Sequence, residues 1–265
     1  KAKSAAIAVE ILHNFTLLHD DIMDQSPLRR GKETVYKKFN SNKAILSGDT
    51  MFALSYKHLL NYDKEIIKDL VEILTQSSIE VCEGQAFDME FETRNDVSIE
   101  EYINMIRLKT GILLSCALRL GAVTANCTKE NLELLNEFAL NIGIAFQIQD
   151  DILDCWSDVE VFGKITGKDI IDNKKTFLYL KALEIGSQRQ QNILQELYSS
   201  KNFEPAQKEQ VVKSIYEDLK IKELAEKEML HYHNLAIQSL EKIDIDNQRK
   251  ENLRRFSEKL INRNK

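Results

Sequence analysis

Two prolines, nine glycines and four cysteines are few for a chain of 265 residues. With so little turn-forming punctuation, a protein of many short strands is excluded, because each of its turns would consume Gly or Pro. Cys82, Cys116, Cys127 and Cys155 lie far apart without a CxxC pair, which argues against a zinc site or a disulfide framework and fits a reducing compartment. Long apolar runs are absent too: stretches such as GILLSCALRLGA meet a charge well before bilayer-spanning length, and the first residues carry no signal-peptide pattern. The expectation is a soluble, cytoplasmic protein with no membrane span. A formal net charge of −6 offers no broad basic face, so nucleic acid is not an expected partner.

What the chain has in abundance is apolar residues at three- and four-residue steps, the period of a helix packed on one face. This pattern predicts helices over residues 3–25, 43–61, 64–91, 99–125, 129–156, 174–186, 188–200, 206–240 and 247–262, and no strand. SIEE from Ser98 is a capping box, and Thr128 is an N-cap for the helix that follows. The fold expected from the pattern is all-α and a single domain, spanning 1–265. KAKSAAIAVE is already helical in pattern, so further N-terminal helices are expected upstream of residue 1.

Two short stretches concentrate charge. In LLHDDIMDQSPLRRGK, residues 17–32, three aspartates are followed within a few residues by two adjacent arginines. A helix places Asp20 and Asp24 on one face about 6 Å apart, with Asp21 beside them. DDILD repeats the geometry with Asp150, Asp151 and Asp154. A lone DDxxD reads equally as a solvated acidic face. Two copies, each closing an apolar helical stretch where the helix end is itself negative, call for cations. Mg2+ fits: it prefers oxygen ligands and joins one or two carboxylates to substrate phosphates. Arg29 and Arg30, in a loop bounded by Pro27 and Gly31, would supply forked donors to phosphate oxygens. Lys109 and Thr110 in RLKTG, Lys164 in FGKITGKD and Lys174 in DNKKT are further candidates, each otherwise an ordinary surface residue.

With these motifs in view, the sequence resembles the trans-isoprenyl diphosphate synthases, or polyprenyl synthetases, over about residues 4–186. LLHDDIMD with LRRG is similar to that family's first aspartate-rich motif and arginine pair, FQIQDDILD to its second, and GQAFD, LKT, GKITGKDI and NKKT follow in the family's order. The resemblance implies a bundle of long, mostly antiparallel helices around a central cavity, and a Mg2+-dependent, chain-elongating prenyltransferase of farnesyl or geranylgeranyl type, joining isopentenyl diphosphate to an allylic diphosphate and working as a homodimer. It implies about three Mg2+ ions, held chiefly by Asp20, Asp24 and Asp150, with Asp21, Asp88, Asp151 and Asp154 as ligands or supports. Arg29, Lys109, Lys164 and Lys174 would hold the allylic diphosphate, and Arg30 and His13 would serve isopentenyl diphosphate. Thr110 and Gln147 would face the developing cation. Phe15, from the candidates Leu12, Phe15 and Thr16, would limit product length to about C15–C20. The family's Gly-Lys-x-Arg segment belongs upstream of residue 1. A longer-chain synthase and a silent subunit of a heteromeric enzyme are the alternatives.

Overall fold

The structure is a computed structural model that describes residues 1–157, 167–199 and 203–262. Helix α1 (Lys3–Met23) turns Ala5, Ala8 and Leu12 inward, a stripe at helical spacing that packs on α3 (Ser41–Leu59), α4 (Lys64–Thr93) and α6 (Ile112–Thr124). Between α1 and α3 lie β1 (Leu28–Arg29), β2 (Lys32–Glu33) and the single turn α2 (Val35–Lys38). The hairpin corrects the expectation of no strand. Arg30 and Gly31, at φ of 54° and 74°, form a two-residue turn of the kind that closes antiparallel pairs, and two-residue strands are too short to leave a periodic signal.

The capping box on α5 (Ile99–Ile106) forms as expected, Ser98 and Glu101 each satisfying the other's backbone N–H. α5 continues through one wide turn of π-helix, Arg107–Gly111, into α6. Thr128 caps α7 (Lys129–Trp156), whose buried residues include Phe138, Ile142, Ile148 and Ile152. The short α8 (Lys168–Ile171), α9 (Phe177–Ile185), α10 (Gln188–Ser199), α11 (Pro205–Asp218), α12 (Ile221–Lys242) and α13 (Asn247–Ile261) complete the described chain. One core joins α5, α7 and α9 to α12, another joins α1, α3, α4 and α6, and the α4–π-turn–α7 contacts link them.

Two helix expectations need correction. The helix predicted over 206–240 is two helices, broken at Lys220 with φ 54°. Tyr216 and Ile221, 1% and 0% exposed, enter the same core. In an unbroken helix they would point about 140° apart, so the break admits both. The helix predicted from 174 begins at Phe177, because the backbone N–H of Phe177 donates to Asp151 Oδ2 at 3.3 Å and leaves Lys174–Thr176 outside the helix. No described helix is long and apolar enough to cross a membrane.

Candidate active site

Asp20 and Asp21 lie in the last turn of α1 and Asp24 caps it, at the negative end of the helix dipole. The hairpin supplies the compensating charge. Arg29 Nε donates to Asp21 Oδ1 at 2.8 Å, and its Nη2 lies 3.0 Å from Asp20 Oδ2 and 2.7 Å from Asp21 Oδ1. The strap between helix and hairpin is closed from within: Ser26 N donates to Asp21 O at 3.0 Å, and the buried Thr34 hydroxyl donates to Ser26 O at 2.8 Å. Arg29 therefore faces the acids, whereas Arg30, at the turn, is exposed.

A second cation arrives on the π-turn. Gly84 of α4 and Gly143 of α7 clamp it. A Cβ at Gly84 would meet the Lys109 backbone nitrogen at 2.4 Å, and one at Gly143 would meet Gly111 Cα at 2.4 Å. Asp88 and Gln147 stand one helical turn beyond these glycines, so the clamp presents Lys109 to one and Thr110 to the other. Lys109 Nζ donates to Asp88 Oδ2 at 2.6 Å and pairs with Asp20 Oδ1 at 3.3 Å; Thr110 Oγ1 donates to Gln147 Oε1 at 3.2 Å. Burial alone would lower the Lys109 pKa, but Asp88 and Asp20 outweigh it and raise it.

The second motif is built differently. Asp151 is 3% exposed and accepts from Tyr102 Oη at 2.5 Å, Phe177 N at 3.3 Å and Gln147 Nε2 at 3.4 Å. Burial, and then Asp169, push its carboxyl well above the usual range. Asp154 Oδ2 accepts from the backbone of Asp169 at 3.0 Å; burial and the Asp169 charge push its carboxyl up to about 6. Asp150, on the same helix, is half-buried. Lys174 lies 3.9 Å from Asp169 Oδ1. Burial opposes its charge, but Asp169, Asp88, Asp24 and Asp20 together raise its pKa, so one ammonium feels aspartates from both halves of the molecule. Lys164 lies outside the described residues. Asp169 was not singled out in the sequence, although it stands in GKD, two residues short of the DNKK run; Tyr102 and Asp151 are partners across 49 residues and leave no local pattern.

His13 is half-buried on α1, its pKa lowered by burial and by Arg30 and Arg29, with Glu10 opposing. Phe15 starts an aromatic column, 5.3 Å from Phe52, which lies 5.2 Å from Tyr56. Leu12 is 1% exposed and wholly inside the core, and the Thr16 hydroxyl donates to His13 O, so the structure separates the three residues considered for the pocket floor.

Among the described residues, no three His, Cys, Asp or Glu side chains converge into a closed metal cage. The seven aspartates taken from the sequence are thus not one preformed ligand set. The donors nevertheless fit Mg2+. They are all carboxylate oxygens, and Asp20 Oδ1 is buried without a hydrogen bond of sound geometry. An ion that takes one or two carboxylates and completes its shell with water and phosphate suits such an open arrangement.

An all-α bundle that sets two DDxxD motifs around shared lysines defines an isoprenoid-synthase type of site. The chain matches the polyprenyl synthetase family model over residues 1–219 and belongs to that family. It is 43% identical over 217 residues to a short chain isoprenyl diphosphate synthase of Methanocaldococcus jannaschii, a match covering 82% of this chain and 65% of that protein. It is 41% identical over 184 residues to a geranylgeranyl diphosphate synthase of Methanosarcina mazei, covering 69% and 57% respectively. A crystal structure of a geranylgeranyl pyrophosphate synthase superposes with a TM-score of 0.94 at 42% identity, covering 100% of this chain and 82% of that one. The match thus spans less than two thirds of the length of these curated relatives.

Proposed function

We propose that the protein condenses isopentenyl diphosphate with an allylic diphosphate to give a trans-prenyl diphosphate of about C15–C20, residues 1–265 acting as one domain. The observation that supports this most is the field around Lys174 and Lys109, in which aspartates from α1, α4 and α8 meet beside the second motif. Carboxylates for metal and cations for phosphate are thereby interleaved in one place. The relatives, a short chain isoprenyl diphosphate synthase and a geranylgeranyl diphosphate synthase, point the same way.

In this reading Asp20, Asp24 and Asp150, with Asp88 and Asp154, would hold Mg2+. Bound there, the metal supplies positive charge to a departing diphosphate. Asp21 and Asp151 hold neighbours in place: the first fixes Arg29, the second fixes Tyr102, Gln147 and the start of α9. Arg29, Lys109 and Lys174, with Lys164, bind the allylic diphosphate. The first two neutralise aspartates in the structure, and phosphate oxygens are the partners they would exchange them for. The allylic C–O bond breaks with its electron pair passing to the diphosphate, and the alkene of isopentenyl diphosphate supplies the electrons for the new C–C bond. A proton then leaves to an oxygen of the released diphosphate. No protein nucleophile is required. The Gln147 carbonyl oxygen and Thr110 hydroxyl offer neutral dipoles to the cation, with Gln147 oriented by the amide–Asp151 bond. Arg30 and His13 serve isopentenyl diphosphate, and Phe15 closes the tail pocket.

Exposed apolar residues on α3, Ile45, Leu46 and Leu54, support assembly as a homodimer. Four free thiols support a cytoplasmic setting. The test is direct: incubate the protein with Mg2+, labelled isopentenyl diphosphate and allylic starters of several lengths, and read the products. Labelled prenyl diphosphates of C15–C20 are expected. No condensation with any starter, in a folded protein that binds an allylic analogue, would overturn the reading.

A further inference from the structure

Lys174 sits between two residues that are each fastened by a buried lysine. Asn173, on its N-terminal side, adopts φ 60°, a left-handed conformation that asparagine tolerates better than most residues. Its side-chain carbonyl accepts from Lys208 Nζ of α11 at 2.5 Å. Lys175, on the other side, is 6% exposed and its Nζ donates to Glu92 O near the end of α4 at 2.9 Å. The Lys174 N–H itself donates to Asp169 O at 2.9 Å. A residue whose ammonium must feel aspartates on three other elements is therefore aimed by fixing the backbone on both sides.

Lys208 is a buried cation on α11. It is 4% exposed, its ammonium lies 4.7 Å from the centre of the Tyr198 ring, and Asn173 is the acceptor it holds. Burial lowers its pKa to about 8, with Asp172 opposing and Lys175 adding to the effect. A dehydrated lysine in a core is costly, and methionine would fill the same volume without the desolvation. We propose that Lys208 is a positioning residue for diphosphate binding: through Asn173 it fixes the left-handed turn that aims Lys174 at the acidic cluster. The proposal rests on the reading of Lys174 as a diphosphate contact, and it places a determinant of substrate affinity on α11, a helix outside both aspartate motifs.

The test is a double-mutant cycle on the Mg2+-loaded protein. Lys208→Met, Lys174→Ala and the double variant are titrated calorimetrically with a non-hydrolysable allylic thiodiphosphate, with folding checked by circular dichroism and melting. Lys208→Met is expected to weaken the analogue about tenfold and to raise KM for the allylic substrate, while KM for isopentenyl diphosphate holds. In the Lys174→Ala background it should add nothing. Asn173→Ala, which removes the acceptor and leaves the buried lysine, should reproduce the loss and keeps the test decisive if Lys208→Met folds poorly. Unchanged analogue affinity in folded Lys208→Met and Asn173→Ala would overturn the proposal, and so would an equal loss in both backgrounds. If Lys174→Ala itself leaves the analogue's affinity unchanged, the assignment of Lys174 is what fails, and the positioning role falls with it.

Discussion

DDIMD at the end of α1 and DDILD in α7 share four of five residues. In both, the middle aspartate is the most withdrawn from water, Asp21 at 6% and Asp151 at 3% exposure. There the likeness ends. Asp21 is gripped by the charged guanidinium of Arg29. Asp151 is held by a phenol, an amide and a backbone N–H, neutral donors too weak to offset burial, and its proton affinity rises accordingly. One pattern thus serves two supports. The middle position ties the motif to its surroundings, by charge on one side of the site and by neutral hydrogen bonds on the other.

The largest effect should come from removing an outer aspartate of either motif. Asp20→Ala and Asp150→Ala are each expected to cut turnover by about 10²-fold or more at unchanged helicity, because neither motif can supply the other's charge. EDTA should abolish activity and added Mg2+ restore it. Near-normal steady-state rates in one variant alone would show that the two motifs are not equivalent in metal binding.

The next effect concerns the tail pocket proposed beside the first motif. Phe15 is partly buried at the head of the Phe52–Tyr56 column, so Phe15→Ala should lengthen the product distribution at a cost of about 2 kcal/mol, below the range for fully buried rings. Chromatography of the products decides it. Unchanged lengths from a folded, active variant would move the floor to another residue.

Breaking the middle supports tests the comparison itself. Arg29→Ala should cost about 1–2 kcal/mol, discounted because its side chain is 35% exposed, and the loss should shrink as salt is added. Tyr102→Phe should cost about 1–3 kcal/mol by leaving Asp151 one donor short, with little salt dependence. Denaturant unfolding of both variants at low and high salt gives the answer; equal salt dependence would erase the distinction between the two motifs.

How much of this was legible in the sequence follows from distance along the chain. Most of the long helices, both caps and both motifs are local patterns and were readable. Asp88 and Lys109 were readable as site candidates, but not their pairing. The clamp of Gly84 and Gly143 on the π-turn was hidden, because a glycine inside a helix announces no neighbour. Tyr102, Asp169 and Lys208 were hidden for a related reason: each acts through a residue on another element, and a buried tyrosine or lysine looks in sequence like any other. The break at Lys220 lacked a Gly or Pro, and only the packing of Tyr216 and Ile221 explains it.

The smallest expected effect reaches the second motif from outside it. The Ser98 hydroxyl accepts from Glu101 N at 3.1 Å, and Glu101 Oε2 accepts from Ser98 N at 2.9 Å, so the first turn of α5 is closed at its free end. Tyr102 stands at the end of that turn, where its backbone N–H donates to Ser98 O at 3.0 Å while its phenol reaches Asp151. Ser98→Ala should cost about 1 kcal/mol, the usual value of an N-cap. Because fraying begins at the helix end, the loss should appear as faster amide hydrogen exchange at Glu101 and Tyr102 before it appears elsewhere. The Arg29–Asp21 pair, on α1 and the hairpin, shares no residue with this turn, so exchange around Asp21 should stay as in the parent protein. Equal acceleration at both motifs would mean that they are mechanically one unit, and that the charged and neutral supports are less independent than their geometry indicates.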